Sequence, residues 1–545
     1  MPNFQRAGVY VTETLAGPSA APQSTSPSVA GFVGEHWRGP TTYAVQCNSW
    51  SDFVLYYGGF NPNQTPALKN PYLAHAVYQY FANGGQSCWI TRVPNTSATT
   101  TGVPAASASA ILVDNSVTSQ TALTLTAGIK GVTGSPGTWG NNLYYTVTLG
   151  SAAGRFNITI FYGGNTAQYA VESWADMSLT PSDPRYVLTV MNSLISGSAY
   201  VTASLGTGTT VKTVTAITAF TGGQDGTAAS VYVGPGTTDF TNVLTFGGIS
   251  PGFVASPFDV VPGVLNINLP GVSDASSLAP ALAYVGGSNP RPYSFLVVDT
   301  ASAQTPLSAA GFPAANCGSL STSSYAAVYY PWLNVANPAS TSLQSTILIP
   351  PGGPVLGQMV STDAASGTWV TPAGLTTVLS NVVQAERPLS PSDLNTLNTS
   401  NVNALRTLPS GQVVIWGGRT LNASYASMYV PIRRTLNYLE STLASRLLSL
   451  VFQPNDALLW SRASAICNGF LGGMYSANAF PGTTVATSYY VICNATNNTP
   501  ATVSQGVLNV TIGVALSYPA EFISLTISQF QNNGGNTASP STTTV

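Results

Sequence analysis

Charge is what this sequence most lacks. Charged residues fill 6% of its 545 positions, against about 25% in an average soluble domain. Lysine occurs only at Lys69, Lys130 and Lys212, and the formal net charge is −2. A chain with no basic patch has no footprint for a phosphate backbone, which argues against direct nucleic-acid binding. Low charge also removes the repulsion that keeps soluble monomers apart. A chain of this size is therefore expected to have its surface covered, either as an extracellular protein or as a polymer subunit.

Other absences narrow the chemistry. Histidine occurs only at His36 and His75. A Ser/His/Asp or Cys/His arrangement needs an imidazole beside an activated nucleophile, and neither histidine stands near such a motif. His36 sits in the loop-like "GEHWRGP", and His75 is expected on the outward face of a helix, toward solvent or a neighbour. There is no Gly-Lys dipeptide and so no P-loop, and "GTGTTV" and "GPGTTD" lack the third glycine of a dinucleotide fingerprint. Glu172 and Asp176 are the closest acidic pair and are read as solvated loop residues. Cys47, Cys88, Cys317, Cys467 and Cys493 are dispersed and odd in number, with no Cys-x-x-Cys, so neither a disulfide framework nor a zinc site is signalled. No run reaches the roughly 18 apolar residues of a membrane span, and no apolar stretch near Met1 reads as a signal peptide. An enzyme, a cofactor, a metal and membrane insertion are accordingly not expected.

What is present is a succession of strand and helix patterns, long enough for roughly three or four domains at about 150 residues each. "VAGFVGEHWRGP" gives a short apolar strand. A helix is expected from Asn70-Pro71, with Leu73, Ala76, Val77, Tyr80 and Phe81 on one face and a stop at "NGG". "SCWITRV" then reads as a buried strand. From Asn95 to about Ser250 the composition shifts to Thr, Ser, Gly and Ala with β-type runs such as "NLYYTVTLG" and "FNITIFYGG", which reads as an inserted, mostly β domain. Beyond it, "GVLNINLPGV", the helical "SSLAPALAYVGG" and "YSFLVVDT" follow one another as strand, helix and strand, the order of a parallel α/β sheet.

Towards the C-terminus, "IRRTLNYLESTLASRLLSLVF" puts Ile432, Leu436, Leu439, Leu443 and Leu447 on one helical stripe, with Arg433, Arg434 and Arg446 largely off it. A second helix, "DALLWSRASAICNGFLGGMY", precedes two strands, "TSYYVICN" and "GVLNVTIGVAL". Two further strand patterns lie at the chain ends. "RAGVYVTET" alternates Val9 and Val11 with Tyr10 and Thr12, and is cut off from the rest by Gly17, Pro18, Pro22 and Pro27. "PAEFISLTISQF" carries Phe522, Ile523, Leu525 and Ile527 with the same period of two. An extended arm of this kind can add itself to an exposed sheet edge of another molecule, main-chain hydrogen bonds supplying affinity and alternate side chains register.

Taken in order, "GVYVTET", "AGFVGEHWRGP", "FANGGQSCWITRV", "GSPGTWGNNL", "ESWADMSLTPSDPRYV", "YYPWLNV", "IPPGGPVLGQMVSTD", "LNTSNVNALR", "VIWGGRTL", "YVPIRRTLNYLE", "FQPNDALLW" and "YPAEFISLTISQF" make the chain similar to the tail sheath proteins of contractile bacteriophage tails and related injection machines. The resemblance spans nearly the whole chain. It implies a mixed α/β and α+β, multi-domain fold. Its parts would be an N-terminal extended arm at 1–28, an α/β part of the core at 29–94, a mostly β outer insert at 95–250, and a middle α/β, subtilisin-like but non-catalytic domain at 251–420. A C-terminal sheath domain at 421–518 and a C-terminal arm and tail at 519–545 would complete it.

The resemblance further implies a homo-oligomer in which six-start helical rows surround an inner tail tube, with a baseplate and a tail terminator as further partners. Such a sheath forms part of a virion tail assembled in the host cytoplasm, and contracts to drive the tube through the bacterial envelope for genome delivery. Terminal strands would be exchanged between subunits: Val9 to Thr12 and Phe522, Ile523, Leu525 and Ile527 as donors. The expected acceptors are Tyr489, Tyr490, Val491 and Ile492 on one strand and Val507, Leu508, Val510 and Ile512 on the other. Arg433, Arg434 and Arg446 are the expected tube-facing residues. Two other classes fit parts of the sequence: a self-associating, non-contractile surface or coat protein, and a hydrolase on an α/β scaffold.

Overall fold

The computed structural model describes residues 29–41, 44–60, 71–93, 105–130, 134–225, 258, 261, 263–285, 293–318, 322–340, 345–522 and 524. Strands apolar on both faces suit a parallel sheet covered by helices on either side. Ala30–Gly34, Phe295–Asp299 and Ala326–Tyr330 are buried at every position. They belong to an eight-stranded sheet in the order Val413–Ile415, Val402–Thr407, Ala326–Tyr330, Phe295–Asp299, Asn266–Asn268, Ala30–Gly34, Cys88–Arg92, Val45–Cys47. The inner strands run parallel and both edge strands antiparallel. Ala30–Gly34 pairs with Cys88–Arg92 on one side and Asn266–Asn268 on the other, so residues from widely separated parts of the chain share one sheet.

Helices Tyr72–Ala82 and Gly352–Ser366 cover one face, over a core that includes Phe32, Leu73, Val77, Tyr80, Leu356 and Met359. Ala275–Tyr284 and Pro306–Asn316 cover the other, over Val33, Leu265, Leu278, Leu282 and Phe312. The result is a three-layered α/β body. The first two helices cross at almost backbone contact. A Cβ on Gly353 would run into the Ala76 carbonyl oxygen, and one on Gly357 into that of Tyr80. The glycines of "PPGGPVLG" are there because only hydrogen fits at the crossing. Tyr72–Ala82 stops where "NGG" reads as a stop, with Gly84 at φ +97°.

Residues 105–130 and 134–225 form a β unit that follows Cys88–Arg92 in the chain. Ser109–Val113, Thr121–Ala127 and Val201–Leu205 make one sheet; Val214–Ala219, Leu143–Leu149, Phe156–Tyr162 and Ala170–Met177 make another. They enclose Leu123, Leu125, Trp139, Leu143, Val147, Ile158, Ile160 and Met177. Two buried arginines join this unit to the body. Arg92 donates to the carbonyls of His36 (2.6 Å), Gly39 (2.9 Å) and Pro136 (2.7 Å). Arg38 donates to the Ala199 carbonyl at 2.6 Å and lies 4.6 and 4.8 Å from the ring centroids of Trp139 and Tyr200. Glu172 and Asp176, expected in a solvated loop, instead lie on strand Ala170–Met177, where Glu172 accepts from the Ser198 hydroxyl at 2.6 Å and the Ala199 N–H at 2.7 Å.

Helix Val430–Leu447 links the α/β body to the C-terminal part. Its first half is buried on every side, Val430 contacting the body's core, while Leu439 and Leu443 pack with Cys467, Phe470, Leu471 and Met474 of helix Ala457–Ser476. Asp456 caps that second helix by accepting from the Leu459 N–H at 2.9 Å. Among the described residues no helix is long and apolar enough to cross a membrane.

Candidate functional site

The groups that carry acid-base chemistry elsewhere are built into the core here. His36 and His75 are 4% and 8% exposed. Burial is the main force holding their imidazoles down, to about 3 at His36, where the Arg92 and Arg38 charges add to it, and to about 4 at His75. His75 does not face outward as expected. It packs 4.8 Å from the ring of Phe60, which lies just beyond helix Trp50–Tyr57 and covers this side of Tyr72–Ala82. A Gly-x-Ser-x-Gly string at Gly248 to Gly252 lies outside the described residues, and both histidines that its serine would need are buried.

In open α/β sheets, ligands bind beyond the strand C-termini, where a helix N-terminus meets an anion. At the end of Phe295–Asp299 that place is already filled. The fully buried Asp299 carboxylate accepts from the Gly352 N–H at the start of helix Gly352–Ser366 (2.7 Å), from the Gly271 N–H (3.1 Å) and from Asn268 Nδ2 (3.1 Å). Burial raises its pKa to about 6 against those three donors. Among the described residues no group of three His, Cys, Asp or Glu is placed to hold a metal ion.

The open feature is a sheet edge. Tyr489–Ile492 and Thr511–Val514 form a separate two-stranded antiparallel sheet, with Tyr489 opposite Val514 and Val491 opposite Ile512. Its inner face is apolar. Tyr489, Val491, Ile512 and Val514 pack with Cys467, Phe470, Leu471 and Met474 of helix Ala457–Ser476. Tyr490 and Ile492 point the other way, 55% and 37% exposed, and the Tyr490 ring lies over Gly513, where a Cβ would strike it. A sheet of two short strands depends on the helix beneath it, and among the described residues no further strand pairs with either of its outer edges, which are templates for another strand.

The second strand is shorter than expected. Val507, Leu508 and Val510 precede it, since the ladder begins only at Thr511. Asparagine side chains satisfy the backbone there instead: Asn509 N–H donates to Asn498 Oδ1 at 2.7 Å, and its carbonyl accepts from Asn498 Nδ2 at 3.0 Å and Asn497 Nδ2 at 3.1 Å. A short helix, Pro500–Ser504, lies in what reads as a polar turn, and Asn455 Nδ2 donates to the Val507 carbonyl at 2.9 Å. Ile512 is on the strand, as are Tyr489, Tyr490, Val491 and Ile492. Of the donor residues, Val9, Tyr10, Val11, Thr12, Ile523, Leu525 and Ile527 lie outside the described residues; Phe522 is described and 74% exposed.

Two of the three arginines expected to face outward do not. Arg434 is 2% exposed and forms a two-pronged ion pair with Asp363 of helix Gly352–Ser366, one prong at 3.0 Å, with Asn266 Oδ1 as a further acceptor at 3.4 Å. Arg433 is buried over the Tyr325 ring at 4.5 Å, and donates to Asn437 Oδ1 at 2.9 Å and Glu440 Oε1 at 3.1 Å. They stabilise the root of helix Val430–Leu447. Arg446 is half-buried, with its guanidinium 4.8 Å from the Phe470 ring centroid. A contact without a sequence signal is the ion pair between Arg419 and Glu521, at 2.7 Å across a separation of 102 residues.

The architecture is thus a multi-domain, mixed α/β chain whose open feature is the edge of a small sheet. No family model matches the sequence, and no curated protein does. Solved structures are similar over most of its length. The sheath tail protein of Listeria innocua aligns with 87% of this chain and 91% of its own, at a TM-score of 0.57 and 12% identity. A chain from the baseplate of the anti-feeding prophage, in a sixfold-symmetrised structure, aligns with 97% of this chain and 100% of its own, at 0.54 and 15%. A chain from the sheath complex of the extracellular contractile injection system PVC, in its contracted state, aligns with 97% and 99%, at 0.52 and 18%. The chain has the fold of contractile-tail sheath proteins.

Proposed function

We propose that this chain is the sheath subunit of a contractile tail: it polymerises as a helical tube around an inner tube and shortens to drive that tube through a bacterial envelope. The observation that carries the reading is the two-stranded sheet of Tyr489–Ile492 and Thr511–Val514, apolar on its helix-facing side and, among the described residues, open at both edges. The strands that complete it are Val9 to Thr12 of one neighbouring copy and Phe522 to Ile527 of another. Backbone pairing of this kind needs no charge, which suits a chain with 6% charged residues. Apolar packing and main-chain ladders, more than electrostatic complementarity, then hold the rows together.

Subunits assemble in an extended, kinetically trapped lattice, and a baseplate trigger releases them into a shorter and wider one with better contacts between rows. The arms keep the lattice connected as subunits rotate. The partners are further copies, the inner tube protein, a baseplate and a tail terminator; Arg446, the half-buried member of its trio, is the one left to reach the tube. The tail belongs to a bacteriophage virion that delivers a genome and is assembled in the host cytoplasm. Negative-stain electron microscopy of the purified chain tests this. Hollow striated tubes are expected from the full chain and not after deletion of Met1 to Ala16. Monodisperse monomers from the full chain, or unchanged tubes from the deletion, would contradict it.

A further inference from the structure

A donated strand must be held at its root as firmly as at its tip. Beyond Val514 the chain makes one more ladder bond, Ala515 N–H to the Ser488 carbonyl at 2.8 Å, and then runs to Phe522 without a strand partner among the described residues. Just before Phe522 it is tied to the α/β body. Glu521 Oε2 accepts from Arg419 Nη2 at 2.7 Å, Arg419 Nε at 3.1 Å and the Tyr429 hydroxyl at 3.1 Å. Pro519, Ala520 and Glu521 form one wall of a cavity of about 340 Å³, completed by Trp416, Gly418 and Tyr429 among others.

The groups that grip Glu521 are themselves fixed. The Arg419 N–H donates to Asn403 Oδ1 at 2.7 Å, its carbonyl accepts from Asn403 Nδ2 at 2.8 Å, and Nη1 donates to the Asn398 carbonyl at 3.0 Å. Asn403 lies on Val402–Thr407, a strand of the eight-stranded sheet. Tyr429 bridges Arg419 and immediately precedes helix Val430–Leu447. Exposed ion pairs contribute little. This one is 14% and 20% exposed, and a rigid guanidinium and a hydroxyl converge on one oxygen, the arrangement in which charge-assisted bonds are strong. It is one of four ion pairs among the described residues.

We propose that Glu521, gripped by Arg419 and Tyr429, is the anchor of the C-terminal arm, passing load from the neighbouring copy into the eight-stranded sheet before it reaches the two-stranded one. The geometry gives the order. Tension applied beyond Phe522 meets the Glu521 contact first. Only when that yields does it peel Thr511–Val514, held by four residue pairs, from Tyr489–Ile492. The proposal rests on the reading of Phe522 to Ile527 as a donated strand.

The test compares full-length wild type, Glu521→Gln, Tyr429→Phe and, as a control that breaks an ion pair away from the arm, Glu440→Gln. Two quantities are read for each: the urea midpoint of the monomer and the protein concentration at which half the chains are in tubes. For Glu521→Gln the midpoint is expected to stay near wild type while the half-assembly concentration rises about tenfold, because an arm root no longer held in the free chain has to be ordered on assembly. Tyr429→Phe should raise it about threefold, since one bond to the carboxylate is lost while the Arg419 pair remains, and Glu440→Gln not at all. Assembly of both arm variants at the wild-type concentration overturns the anchor. So does an equal rise in the Glu440→Gln control. If Glu521→Gln lowers the monomer midpoint, Tyr429→Phe decides alone. Failure of the wild type to form tubes would instead overturn the sheath reading, and the anchor with it.

Discussion

Replacing Arg434 by Met keeps most of the side chain's apolar stem and deletes the guanidinium that faces Asp363. The ion pair lies between helix Val430–Leu447 and helix Gly352–Ser366, with side-chain exposures of 2% and 0%. Water cannot take over the lost role, so the change leaves a buried carboxylate without its countercharge, a loss of about 3–5 kcal/mol. The double variant Arg434→Met, Asp363→Leu removes both charges together. It should return to within about 1–2 kcal/mol of wild type, because burying the pair costs nearly as much as its attraction gains. Urea unfolding of the monomer, followed by tryptophan fluorescence, gives each value, and the cycle gives a coupling of about 2 kcal/mol or more. A single-variant loss below about 1 kcal/mol, or no recovery in the double, would refute the burial argument, and with it the view that this helix is rooted in the α/β body.

Acid should weaken the monomer through its two histidines. Their folded values lie below the ordinary 6.5, so the unfolded chain binds more protons, and stability present above pH 6.5 is lost as pH falls toward about 4 at His75 and about 3 at His36. Each contributes a slope of roughly 1.4 kcal/mol per pH unit within its window. Asp299 opposes them, its raised value making the fold gain stability as pH falls from about 6 toward 3.8. Urea midpoints between pH 7 and 4 check the net loss, and His75→Phe should shallow the slope. Gly353→Ala should separate the two crossing helices at Ala76, with a loss of roughly 1–3 kcal/mol in the same urea measurement. A neutral result would mean that the helices do not touch there.

The parallel sheet was legible because its strands are apolar through and through and punctuated by Gly and Pro: Ala30–Gly34, Phe295–Asp299 and the helix between "GVLNINLPGV" and "YSFLVVDT" all lie where the pattern puts them. Strand Tyr489–Ile492 was legible too, within "TSYYVICN". What failed was the rule that polar means outward. Arg434 finds its partner 71 residues earlier in the chain, and no local pattern contains that distance. His75 is hidden by the Phe60 ring, which comes from outside its helix. Val507 to Val510 look like strand, but asparagines on the preceding turn take up the backbone groups that a ladder would use. Local propensity loses wherever a remote side chain or backbone claims the same groups.

The central claim, that this small sheet is finished by other copies of the chain, is tested most directly by a cryo-EM map of the assembled polymer at side-chain resolution. The account predicts added strands on the edges of Tyr489–Ile492 and Thr511–Val514, traced to the "GVYVTET" of one neighbour and the "FISLTI" of another. Edges left bare in the polymer, or covered by the ends of the same chain, would contradict it.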